Sequence, residues 1–292
     1  VTSETKADKE KTEEMPTLAQ NTTALSRDKF DADIRAFMAT LEEVIQTTPY
    51  ACPFLESTVG SVLSLRYHDR IYLDLCAFSQ HLAPGSRILD LGTGSGILGY
   101  LLAAQGHSVE AIDVDDFNEV QSVHSQMSAE QKLLWKALTA RQTGIRFQHY
   151  YNSKIPFEAS AFDAVIAYGV IEHVPESVLP AVMKDVARVT KLGGKLMISY
   201  LPRKWALLEI VLGMMGRLHH LRRWGDQELR QFLNDFGYEI VVLERIIFAP
   251  QFPASSTNRY KGILDSIDLL AKIPPFSLLA RDLMGVARKR ES

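Results

Sequence analysis

The stretch Ile88-Leu89-Asp90-Leu91-Gly92-Thr93-Gly94-Ser95-Gly96 decides the fold. Arg87 to Leu91 is a short apolar run, set off by Pro84-Gly85 before it and by glycines after it, which predicts a buried strand. The glycines let the backbone turn tightly and let a ligand come close to it. The small-residue helix predicted to follow, to about Gln105, turns unpaired N–H groups and the positive end of its dipole toward that turn. Two ligand classes suit such a junction, a pyrophosphate and a carboxylate-bearing nucleoside. Gly94-x-Gly96-x-x-Gly99 satisfies the dinucleotide fingerprint, and Asp113 ends the next predicted strand about 20 residues beyond Gly92, where an acid holds a ribose diol in either class. Asp90 separates the two. A carboxylate at the mouth of a pyrophosphate site repels its charges, whereas beside a zwitterionic sulfonium it is tolerated.

Working outward, His107–Asp113, Ile145–Tyr150, Phe162–Tyr168 and Gly194–Tyr200 read as further strands, with helices over 117–142 and 177–191. Strands alternating with helices predict an α/β fold with a parallel sheet covered on both faces. Upstream, helical spacing begins after Asp28, a candidate N-cap, with Phe30, Ile34, Phe37, Met38, Leu41 and Ile45. A second amphipathic helix runs from Leu65 to Leu82, and Thr48–Gly60, with Pro49 and Pro53, reads as a loop. Residues 1–27 are polar and poor in large apolar side chains, as in a mobile tail. The expected organisation is therefore a tail (1–27), a helical cover (28–83) and an α/β domain (84–292).

The chain has 292 residues, 32 Lys+Arg against 35 Asp+Glu, and 46% hydrophobic residues, as a globular protein does. Its near-neutral balance argues against nucleic acid as a partner. Two cysteines suit a reducing compartment, and no apolar leader precedes the helices, so a cytoplasmic location is expected. Trp205–Gly216 is the longest apolar stretch and is too short for a bilayer span.

The motifs in order resemble the class I S-adenosylmethionine-dependent methyltransferases, above all the small-molecule enzymes of quinone-biosynthesis type. Ile88–Gly96 with Asp113 is similar to the first two motifs of that family; Ile155-Pro156-Phe157 and Phe162–Ala167 to its approach to strand four; Val170-Ile171-Glu172-His173-Val174-Pro175 to the stretch after it; and Ala187–Leu196 to the helix and turn before strand five. The resemblance covers residues 87 to 289. It implies a Rossmann-like, seven-stranded, mostly parallel sheet closed by an antiparallel hairpin, Tyr238–Phe248 with Leu283–Lys289. It implies S-adenosyl-L-methionine as cofactor, with Gly92, Thr93, Gly94 and Gly96 facing its methionine portion and Asp90 reaching its amino group directly or through water. Asp113 would hold the ribose, Val114 would lie against the adenine, and the backbone at Tyr168-Gly169 would line the sulfonium end. The chain departs from the family where an acid commonly takes the adenine amine: Tyr151 stands there, beside Asn152, which could hydrogen-bond the adenine.

His173 is a candidate general base for an acceptor hydroxyl, as a histidine titrating near pH 7 suits that work; the competing reading is a packed structural histidine. Glu172 and Tyr168 complete the candidate catalytic group. Tyr168 and Tyr200, at strand C-termini, face the crevice of an open sheet. Trp205–Leu221 is apolar around its whole circumference and is bracketed by Arg203, Lys204, Arg217, Arg222 and Arg223. Such a helix is buried or faces something apolar. The leading reading is a lid or pocket wall over 203–224, with Trp205, Leu208 and Met215; a membrane interface, a lipid substrate or a dimer surface are the alternatives. The excursion 249–280 could add Phe252, Tyr260, Ile263, Leu264, Ile267 and Leu269 to the same pocket. No metal site is expected, as Glu172 is the sole acid in Tyr168–Val174 and His219-His220 cannot face one ligand from a helix. The expected activity is O- or C-methylation of a small, largely apolar acceptor of natural-product, quinone-like or glycolipid type. A non-methylating cofactor binder and an NAD-dependent oxidoreductase are the competing functions.

Overall fold

The structure is a computed structural model that describes residues 25–114, 121–150, 154–206, 222–247, 249 and 254–291. The tail, apart from residues 25–27, Asn152, Leu208, Met215, Phe248, Phe252 and the pair His219-His220 thus lie outside the described residues.

Seven strands form one sheet: β1 (Arg87–Leu91), β2 (Ser108–Val114), β3 (Ile145–Tyr150), β4 (Phe162–Tyr168), β5 (Thr190–Pro202), β6 (Tyr238–Ile246) and β7 (Asp282–Lys289). Their order is β3-β2-β1-β4-β5-β7-β6, with β7 antiparallel to both neighbours and the rest parallel. This is the mostly parallel sheet with a closing hairpin that the resemblance implied. Strand order reverses beside β1, which opens a crevice at the C-terminal ends of β1 and β4. Side chains alternate across the sheet, so Ile88 and Ile166 enter one core while Leu89 and Val165 enter the other.

The first core is covered by α1 (Arg27–Thr47), α2 (Pro53–Val62), α3 (Leu65–Ser79), α4 (Ile97–Ala104) and α5 (Gln121–Arg141). The second is covered by α6 (Leu179–Val189) and α7 (Asp226–Asp235). Between β6 and β7 lie α8 (Ala254–Arg259), α9 (Lys261–Asp268) and two short 3₁₀ turns.

Helix α1 buries Phe30, Ile34, Phe37, Leu41 and Val44, a repeat of three and four residues that faces α4 and α5. Ser26, not Asp28, caps it, accepting from the Lys29 N–H at 3.5 Å. The expected loop over Thr48–Gly60 is corrected in part to α2. Pro53 occupies its first turn, where no N–H is needed, and the Glu130 carboxylate of α5 accepts the free Leu55 N–H at 3.0 Å. Strand β5 is longer at both ends than Gly194–Tyr200, with an irregular pairing at its start and a bulge near its end.

Candidate active site

The turn between β1 and α4 is built on left-handed backbone at Gly92, Gly94 and Gly96 (φ 68°, 56° and 84°). A Cβ at Gly96 would stand 2.6 Å from the Phe147 ring, and one at Gly92 2.6 Å from a Val170 methyl. Beside Gly94 a Cβ would meet no heavy atom within 4 Å among the described residues, so the open side of the turn is there. The Gly92 and Thr93 N–H groups both donate to the Ile112 carbonyl, which ties the turn to β2. Asp90 is buried; its Oδ2 accepts from the Thr93 hydroxyl at 2.5 Å and the Gly99 N–H at 3.1 Å. Burial pushes its pKa up to about 6 against those two bonds. Its carboxylate braces the turn from inside.

Asp113, at the end of β2, stands beside the open turn. Its Oδ2 accepts from the Gly94 N–H at 2.8 Å and from Gln131 Nε2 at 3.1 Å, and its Oδ1 accepts from the Val114 N–H at 2.8 Å. Burial raises its pKa and these bonds oppose the rise. Val114 is partly buried beside it. Two residues of α5 that sequence reasoning missed complete this side. Trp135 donates from Nε1 to the Gly94 carbonyl at 3.1 Å, and Gln131 also contacts His149 Nε2 at 2.9 Å. The signal was a glutamine and a tryptophan four residues apart, on one face of a helix that otherwise reads as polar.

At the end of β4, the Tyr168 hydroxyl donates to Asp74 Oδ2 at 3.0 Å. Ser199 of β5 donates to the same oxygen at 3.0 Å, and Arg70 donates from Nε at 2.9 Å and pairs with Oδ1. Asp74 is fully buried and was also missed. It sits on the apolar face of α3 with Ile71, Leu75 and Phe78, and a carboxylate in that position was the available clue. The Tyr168 and Tyr200 rings meet edge to face at 5.1 Å, and burial raises both phenol pKa values well above the ordinary range.

After Gly169 (φ 66°) the chain turns, and Glu172 is buried with Oε2 lacking a hydrogen-bond partner among the described residues. Burial pushes its pKa up to about 8. His173 Nε2 lies 3.8 Å from Glu172 Oε1, and the histidine side chain is half exposed. Trp205 is 67% exposed and lies outside the large cavity on this side of the sheet. That cavity, of about 550 Å³, is bounded by α3, β6, the end of β5 and residues 257–272, with Tyr67, Arg70, Tyr200, Ile246, Leu269 and Met284 among its walls. Of the described residues expected from the excursion, Leu269 lines it.

The cations expected to bracket an apolar helix are partly spent within the protein. Arg203 is buried, pairs with Asp226 at 3.0 Å and donates to the carbonyls of Ser277, Leu278 and Ala280. Lys204 pairs with Glu228, and Arg222 lies over the Trp224 ring at 4.4 Å. Among the described residues no helix is long and apolar enough to cross a membrane.

An anchored acid beside an open glycine turn fits a ribose-bearing, zwitterionic ligand such as S-adenosylmethionine. The comparisons agree. A family model, the methyltransferase domain, matches residues 65–243. A ubiquinone biosynthesis O-methyltransferase of Xanthomonas axonopodis pv. citri is 30% identical over 183 residues, 59% of this chain and 71% of that protein. The fold is shared with a SAM-dependent methyltransferase of Methanosarcina mazei (TM-score 0.52, 19% identity, 74% of this chain and 98% of that one). It is shared too with the 1,6-didemethyltoxoflavin-N1-methyltransferase of Burkholderia thailandensis (TM-score 0.51, 15% identity, 93% and 94%). A family match across more than half of the sequence, carried on this sheet, settles the membership: the chain belongs to the class I S-adenosylmethionine-dependent methyltransferases.

Proposed function

We propose that the protein methylates a small, largely apolar acceptor, at a hydroxyl oxygen or an acidic carbon. The observation that carries this reading is the cavity of about 550 Å³ whose wall includes Tyr200, against the Tyr168 ring that ends β4. It lies within the size range of small-molecule sites. The name of the Xanthomonas relative supports a quinone-like or phenolic acceptor.

When bound, S-adenosylmethionine supplies a methyl group already activated on a sulfonium. The residues of this chain hold and orient. Asp113 would take the ribose hydroxyls, Val114 would lie against the adenine, which Asn152 would hydrogen-bond, and the Gly92-Thr93-Gly94 backbone with Gly96 would receive the methionine portion. Asp90 keeps that turn in shape and would lie behind the cofactor's amino group. The backbone at Tyr168-Gly169 would border the sulfonium end. Alignment of acceptor and donor provides much of the acceleration. For a hydroxyl acceptor, His173 accepts the proton, and Glu172 behind it orients the imidazole.

The test is a mass-spectrometric screen of purified protein with S-adenosylmethionine against phenols, quinols, hydroxylated natural products and glycolipids. A product heavier by one methyl group is expected from the neutral, apolar members. Calorimetry with S-adenosylhomocysteine accompanies it. Cofactor binding without a methylated product from any class would leave a non-methylating binder as the function.

A further inference from the structure

Burial is inverted in the excursion between β6 and β7. Within residues 269–279 the small residues Ala271 and Ser277 are buried, while Leu269, Ile273, Phe276 and Leu278 expose 59%, 49%, 46% and 52% of their surface. Single exposed apolar side chains are ordinary, but several large ones turned outward from one short segment mark a contact surface. The backbone is fastened from beneath. Arg203 donates to the carbonyls of Ser277, Leu278 and Ala280, and Arg245 donates to the Ser277 hydroxyl at 3.2 Å. With its polar groups held inward by these two arginines, the segment presents its large apolar side chains to the outside. Trp205, 67% exposed, stands two residues beyond Arg203 at the same end of β5.

Positive charge gathers around this face. Residues 203–230 and 254–281 each carry twice as many Lys and Arg as Asp and Glu, in a chain whose formal net charge is −3. Beside the segment, a shallow basin is lined by Arg230, Arg245, Lys272, Asp226 and Glu244. Asp226 is taken by Arg203 and Arg245. Arg230 and Lys272 are exposed and make no ion pair among the described residues, with Glu244 as the remaining acid of the basin. Apolar side chains flanked by such cations fit the surface of an anionic bilayer, where the side chains enter the acyl boundary and the cations meet the headgroups. A second copy of the chain would instead bring like charge against like. The segment also walls the large cavity, through Leu269, Ala271 and Lys272, so a docked face would hold that cavity at the membrane, where apolar molecules collect.

We propose that the face presenting Ile273, Phe276 and Leu278, flanked by Lys272 and Arg230, is a peripheral docking surface for an anionic phospholipid bilayer. The inference concerns a surface and does not depend on the methyl-transfer reading above; joined to it, docking would deliver an apolar acceptor to the cavity directly from the membrane.

The experiment is co-sedimentation of the full chain with vesicles of phosphatidylcholine alone and of an equal mixture with phosphatidylglycerol. Wild type is expected to bind the mixed vesicles roughly tenfold or more tightly than phosphatidylcholine, and to be released as salt is raised. Phe276→Asp and Ile273→Asp should each weaken that binding roughly tenfold or more. Lys272→Glu should weaken it about fivefold to thirtyfold, the scale of one to two surface charges. All three side chains are exposed, so melting temperature and affinity for S-adenosylhomocysteine should stay at their wild-type values. Leu192→Asp, at a similarly exposed leucine near the other end of β5, should bind vesicles as wild type does. No binding to the mixed vesicles, equal binding to both kinds, undiminished binding in Phe276→Asp and Ile273→Asp, or an equal loss in Leu192→Asp each overturns the proposal. So does sedimentation of the wild type as a dimer that Phe276→Asp returns to monomers, which would give the face to a second copy. Failure of the wild type to bind S-adenosylhomocysteine would instead sink the methyl-transfer reading, whatever the vesicles show.

Discussion

Glu172 holds a carboxyl group that burial keeps protonated up to about pH 8. In the unfolded chain a glutamate titrates near 4.3, so the two states differ between these values. Below about pH 4 both are protonated and the group contributes nothing. As pH rises through that window the unfolded state loses its proton while the folded state keeps it, and stability falls until about pH 8. Glu172→Gln removes that slope, so its melting temperature relative to wild type should climb steadily from pH 5 to pH 8. Thermal melts across this range check it, and parallel curves for the two proteins would show that Glu172 is ionised throughout. Asp113 makes a different prediction. If it holds the ribose, Asp113→Ala should weaken S-adenosylhomocysteine by roughly tenfold to a hundredfold, the scale of hydrogen bonds to a charged group. Calorimetry decides, and an unchanged affinity would remove Asp113 from the binding residues.

Helix α2 owes its first turn to a side chain on α5, for Glu130 caps Leu55 across 75 residues of sequence. Glu130→Ala should cost about 1–3 kcal/mol in denaturant unfolding and speed amide exchange at Leu55 more than at α6. Helix α3 is locked to β4 and β5 through one carboxylate. Asp74→Ala leaves Arg70, whose side chain is 13% exposed, without its partner. A loss of about 3–5 kcal/mol is expected for breaking such a buried pair. Asp74→Ala combined with Arg70→Met should recover part of it, as a double-mutant cycle would show; full additivity would mean the pair is not coupled.

At the scale of the molecule, the N-terminal helices belong to the core. α1 contributes Phe30, Ile34, Phe37 and Leu41, each at most 2% exposed, to the cluster that also holds Leu101, Leu134 and Ile166. Arg141 of α5 reinforces the contact, donating to Thr40 and pairing with Glu43. Burial of each such side chain is worth about 1.5–3 kcal/mol, and the sum rivals the stability of a domain. A chain lacking residues 1–50 should therefore lose its near-ultraviolet dichroism and bind a hydrophobic dye, whereas a native-like spectrum would make α1 a detachable cover.

What the sequence determined by itself was local. Ile88–Gly96 announces a strand, a tight turn and a helix because apolar runs and glycines act within a few residues of themselves. The order of such segments was enough for a parallel sheet and for the family resemblance, and it was the resemblance that implied the closing hairpin. Asp113 was legible for the same reason, as a strand end at a set spacing from the turn. Gln131, Trp135 and Asp74 were not, because each acquires its partner only when helices α3 and α5 dock on the sheet. The pocket was the least legible feature. Apolar content directed attention to Trp205, yet Trp205 is exposed, while the cavity wall is assembled from α3, the bulge at Tyr200, the end of β6 and the excursion before β7. Residues as far apart as Tyr67 and Met284 meet there. Composition carries no record of such a meeting, since distance along the chain does not fix distance in space; only packing of the tertiary structure decides which side chains are left facing a cavity.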